Sequence, residues 1–67
     1  MKISTRNQLK ATVKSVDVNG LMAKVVLDVG GQSITSIITA DAVAELGLKP
    51  GDQVAALVKA TSVSIGK

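Results

Sequence analysis

Apolar and polar residues alternate with a period of two over most of this chain, as they do in half-buried β-strands. Over residues 10–18 the first apolar positions, Ala11 and Val13, share one parity, and the next, Val16 and Val18, share the other. The switch at Lys14–Ser15 predicts a β-bulge or bend, as in a small curled barrel. Asn19–Gly20 is the strongest kind of short hairpin signal. After it, Ala23, Val25, Leu27 and Val29 fall on one face, and Lys24, Val26 and Asp28 on the other. Gly30–Gly31 marks a second turn. Residues 32–39 predict a third strand, with Ile34 and Ile38 opposed to Thr35 and Ile37.

Residues 39–52 break the alternation and predict a short helix. Thr39 or Asp41 is suited to cap its N-terminus. Ala42, Val43 and Leu46 form an apolar stripe, and Gly47 stands where a left-handed C-cap is expected. Residues 49–52 read as a turn. Residues 53–60 predict the next strand, with Val54, Ala56 and Val58 inward, and residues 61–65 continue or close the sheet. The order is three strands, a helix and a strand, with a short extra strand at one end. It predicts an all-β fold: a small five-stranded OB-like barrel with one short helix. Apolar terminal segments would be edge strands in a monomer, and exchanging them between subunits removes those edges.

Composition sharpens this reading. The chain has 67 residues, 46% of them apolar, so residues 1–67 form one domain. A domain of this size buries only roughly 60% of its unfolded surface and needs outside help. Cys is absent, which rules out disulfides; His is absent too, leaving only scattered carboxylates for a metal cation. Phe, Tyr and Trp are also missing, so the core rests on Val, Ile, Leu and Ala. Oligomerisation is the remaining remedy. No apolar run approaches the ~20 residues of a membrane span. The N-terminus lacks the apolar stretch of a signal peptide, so a soluble cytoplasmic protein is expected. The net charge is +3, far from the dense basic footprint of a dedicated nucleic-acid binder. With no His or Cys and no paired carboxylates, the chain reads as a non-enzyme.

Three segments carry candidate chemistry. In "STRNQ" (4–8), Arg6 offers a rigid fork of donors suited to oxyanions, Ser4 and Thr5 add hydroxyls, and Asn7 and Gln8 add amides. The alternative is a solvated lead-in to the first strand. In residues 59–64, Lys59 is followed by the hydroxyls of Thr61, Ser62 and Ser64; the alternative is an ordinary edge charge. Residues 36–41 end at the start of the helix, where free N–H groups attract anions, although Asp41 would compete there as an internal cap. All three supply donors and modest positive charge without a base. That suits binding a small oxyanion without transforming it. A buried dianion needs many donors, more than one subunit this small can wrap around it; two subunits meeting at an interface could.

"STRNQLKATVKSV" and "SIITADAVAELGLKPGDQVAALVKATSVSIG" together resemble the molbindins, the free-standing Mop domains. These are related to the TOBE domains of molybdate-responsive regulators and molybdate transport ATPases. The resemblance covers essentially the whole chain, and no appended regulator, ATPase or second Mop copy is expected. It implies an OB-type barrel that dimerises by strand exchange and assembles as a hexamer, a trimer of dimers. It implies binding of molybdate, with tungstate as the alternative, at subunit interfaces, for storage in the cytoplasm. Carried over by motif, Ser4, Arg6 and Lys59 form one wall, faced by Thr39 and Ala40 of another chain. Ser62 lies in the matching hydroxyl-rich segment. Thr5 departs from the family's usual Ala and adds a hydroxyl that either donates or faces water. Asn7 and Gln8 brace the turn. The resemblance also implies a second class of site, whose residues the motif does not assign.

On this reading capture is passive. Arg6 and Lys59 supply charge, while Ser4, Thr39 and backbone N–H groups supply directional hydrogen bonds. Cavity size separates molybdate from sulfate, and a site built only of donors leaves the proton of hydrogen phosphate without an acceptor. Two rival readings stand beside it. An OB-type nucleic-acid binder would stack bases on aromatic rings, and this chain has none. A purely structural or oligomerisation β-barrel module would need the apolar interface but neither Arg6 nor Lys59.

Overall fold

The computed structural model describes residues 7–67. The chain runs β1 (Asn7–Asn19), β2 (Met22–Val29), β3 (Gln32–Thr39), α1 (Ala40–Leu46), β4 (Gln53–Val58) and a 3₁₀ turn (Ala60–Ser62). The strands form one antiparallel sheet in the order β3-β2-β1-β4. β1 is the organiser. Its first half, Asn7–Thr12, pairs with β4, and its second half, Thr12–Asn19, pairs with β2.

The parity switch in β1 is a bulge. The register with β2 shifts between Val13 and Ser15, leaving Lys14 as the extra residue. That extra residue returns Val16 and Val18 to the face already used by Ala11 and Val13, and it adds local twist. The hairpin that follows is placed one residue later than the Asn19–Gly20 signal indicates. Asn19 pairs with Met22, so the loop is Gly20–Leu21. The only positive φ in it belongs to Gly20, at +64°, where a II′ hairpin puts its glycine.

The core is small and aliphatic. Ala11, Val13, Val25, Leu27 and Ala56 are buried together, and Val16, Ile38, Val43, Leu48 and Val54 pack against them. The helix is capped at both ends. Thr39 Oγ1 accepts the Ala42 N–H at 3.1 Å. Gly47 is left-handed (φ 61°, ψ 38°), its N–H reaches the Ala44 carbonyl, and the Leu48 N–H reaches that of Val43. This is a Schellman motif, and its apolar contact pairs Leu48 with Val43. Leu46, expected in the buried stripe, is instead 68% exposed. The stop at Gly47 lets Leu48, rather than Leu46, complete the packing.

The described residues make four strands rather than five. β4 ends at Val58, and the segment expected to close the sheet turns into the 3₁₀ element and then runs on unpaired among the described residues, with Val63 55% and Ile65 95% exposed. The sheet curls but does not close. Between the edges of β3 and β4 lies an apolar trough of about 790 Å³ floored by Val13, Val25, Leu27, Ile38, Val54 and Ala56.

Candidate functional site

The donors expected at the helix start are only partly free. Thr39 is the last residue of β3, paired with Met22, and also the N-cap of α1. Its side-chain oxygen accepts from Ala42, so its hydroxyl proton remains to be donated. The Ala40 N–H is committed to the Leu21 carbonyl at 2.8 Å. Of the first three helical amides, two therefore have protein acceptors, and what this corner can offer an anion is chiefly the Thr39 hydroxyl. Asp41 lies in the first turn and is exposed; the cap is Thr39, not Asp41. Sequence reasoning missed Leu21, which contributes a backbone carbonyl. The only signal for it was the glycine that starts the loop.

At the other wall, Lys59 leaves β4 in an extended conformation and caps the 3₁₀ turn through its carbonyl, which accepts the Ser62 N–H at 2.8 Å. Lys59, Thr61 and Ser62 are all exposed. They fall within one turn of chain, a cation followed closely by hydroxyl donors. Ser4, Thr5 and Arg6 lie outside the described residues. The chain resumes at Asn7, which pairs with Val58, directly before Lys59.

Within one protomer the described residues of the two walls follow opposite ends of β1. Lys59 follows the Asn7 end of β1, whereas Thr39 pairs through Met22 with the Asn19 end. The full 13 residues of β1 separate them. β1 is bulged and curled, and the molecule is 34 Å in its longest dimension. Ile38 and Val58, the neighbours of Thr39 and Lys59, both border the trough between β3 and β4. Among the described residues no three His, Cys, Asp or Glu side chains gather as they would around a metal cation, and no helix is long and apolar enough to cross a membrane.

Comparison with known proteins agrees with this architecture. Residues 3–65 match the TOBE domain family. The chain is 50% identical over 66 residues to molybdenum-pterin-binding protein 2 of Clostridium pasteurianum, covering 97% of each. A solved molybdate-binding protein from Sporomusa ovata superposes with a TM-score of 0.94 at 52% identity, over the full length of both chains. The cytoplasmic molybdate-binding protein ModG, solved with molybdate bound, matches with a TM-score of 0.86 at 46% identity; 92% of this chain covers 45% of that one.

Proposed function

The chain belongs to the TOBE domain family, among its small molybdenum-binding members, and we propose that it binds molybdate, with tungstate as the alternative, at sites shared between subunits of a homo-oligomer. Its role is reversible storage of the oxyanion in the cytoplasm, without chemical transformation. One wall of each site comes from Ser4, Arg6 and Lys59, with Ser62 and Thr5 as flanking hydroxyls. The other comes from Thr39 of a neighbouring chain, with Ala40 beside it shaping the corner while its N–H stays on Leu21.

The observation that carries this reading is the placement of Thr39 and Lys59 at opposite ends of β1. On this reading each chain offers two half-sites, which suits a closed assembly in which every half-site meets its complement. The open trough between β3 and β4 supports the same reading, because it leaves apolar core surface for a second chain to cover. Arg6 and Lys59 provide the charge for a dianion. The Thr39 hydroxyl still has its proton to donate to the anion. A hexamer, a trimer of dimers with exchanged strands, is the assembly we infer.

The test is calorimetric titration of the assembled protein with molybdate, tungstate, sulfate and phosphate. Saturable binding of the first two and little of the others is expected; no heat with either would sink the oxyanion reading. A purely structural module also fits the trough, and Arg6→Ala separates the two. The variant is expected to assemble normally and to lose most of its molybdate affinity.

A further inference from the structure

We propose that the Gly20–Leu21 turn is a positioning element for the Thr39 wall, acting through the hydrogen bond from the Ala40 N–H to the Leu21 carbonyl. The inference rests on the reading of Thr39 as an anion ligand. The ladder between β2 and β3 ends at Met22–Thr39. The Ala40–Leu21 bond, at 2.8 Å, adds one rung beyond it and ties the first helical residue to the hairpin loop. Thr39 therefore sits between two restraints, this rung and its own capping bond to Ala42. Its backbone is held on both sides, and its side-chain oxygen, fixed by the Ala42 N–H, still has a proton to donate.

The turn does this with its backbone alone. The Leu21 side chain is 86% exposed, so side-chain packing does not hold the loop in place. The direction of the Leu21 carbonyl follows from the turn conformation, which Gly20 sets with φ +64°. A Cβ added at Gly20 would meet nothing within 4 Å. Any effect of a side chain there is thus conformational and leaves the core packing untouched. The bond has a second consequence. It withdraws the Ala40 amide from the ligand, so recognition at this corner passes to a hydroxyl whose angle the turn controls.

Gly30 supplies the control. It opens the other hairpin with a similar φ, +58°, and open space around its missing Cβ, but it contacts neither Thr39 nor Ala40. The experiment combines amide hydrogen exchange without anion and molybdate calorimetry on assembled wild type, Gly20→Ala, Gly20→Asn and Gly30→Ala. The Ala40 amide of the wild type should be protected. Gly20→Ala should speed its exchange about tenfold and weaken molybdate binding about fivefold, since one restraining hydrogen bond is disturbed. Gly20→Asn should disturb both about as much as Gly20→Ala, because the first position of a II′ turn lies outside the left-handed helical region that Asn tolerates. Gly30→Ala should leave both at wild-type values. An unprotected Ala40 amide in the wild type, or unchanged Ala40 exchange in Gly20→Ala, overturns the proposal alone. Equal weakening of molybdate binding by Gly30→Ala shows a merely structural effect and also overturns it. No molybdate heat from the wild type itself removes the oxyanion reading and this proposal together, and the exchange data distinguish that case.

Discussion

Thr39 caps the helix with the same oxygen that the proposed site needs, and two substitutions test both roles. Thr39→Ser keeps a hydroxyl that can both accept from Ala42 and donate to an anion. It should hold helix stability within about 0.5 kcal/mol and retain molybdate binding. Thr39→Val keeps the shape and removes the oxygen. It should lower stability by about 1 kcal/mol through loss of the cap and abolish most molybdate binding. Urea denaturation beside calorimetry checks both; a Thr39→Val variant that binds normally would remove Thr39 from the site. Gly47 is the complementary case at the other helix end. Its left-handed backbone makes the Schellman closure possible, so Gly47→Ala should cost about 1 kcal/mol in a urea melt, with no direct effect on binding.

Among the elements, β1 carries the fold. Val13 sits beside the bulge, is only 2% exposed, donates its N–H to the Asp52 carbonyl and accepts the Gly51 N–H at its own carbonyl. Val13→Ala should cost about 2 kcal/mol, because the aliphatic core has no large neighbour to fill the space. Lys14, the bulged residue, reaches only the exposed Ser33 hydroxyl, so its side chain matters far less than its presence in the chain. The helix offers a sharper contrast. Leu46 borders the trough and packs on little within one protomer. Leu46→Ala should change the stability of an isolated protomer by less than about 0.5 kcal/mol. In an assembly that covers the trough it should cost more than about 1 kcal/mol and weaken subunit association. Concentration-dependent thermal melts distinguish the two.

For the whole molecule, the proposed sites are shared between chains. A complementation experiment tests this. Lys59→Ala and Thr39→Val should each assemble and each fail to bind. Unfolded together and reassembled at equal ratio, they should regain about a quarter of wild-type capacity, because random mixing in a symmetric oligomer pairs an intact Lys59 half with an intact Thr39 half that often. Separately reassembled variants mixed without exchange should regain nothing. No recovery in the co-assembled sample, with light scattering showing mixed oligomers of normal size, would mean that Lys59 and Thr39 do not serve the same site.

Much of this protein was legible in its residues one neighbourhood at a time. The period of two placed the strands, the change of parity at Lys14–Ser15 located the bulge, Thr39 and Gly47 bounded the helix, and the "STRNQ" to "VKATSV" motifs pointed to the oxyanion family. These signals are local, because they depend on which side of the backbone successive residues face and on which backbone angles a residue tolerates. The sequence was less sufficient where an outcome depended on pairing. It did not show that Asn19 belongs to the ladder and Gly20–Leu21 to the loop, nor that the Ala40 amide is spent on Leu21. It predicted a burial for Leu46 that Leu48 fulfils, and a closing strand that the single chain does not make. Nor could it show that Thr39 and Lys59 follow opposite ends of β1. That placement arises because β1 pairs with β4 along one half and with β2 along the other, an arrangement fixed by burying aliphatic faces across the sheet rather than by any run of adjacent residues.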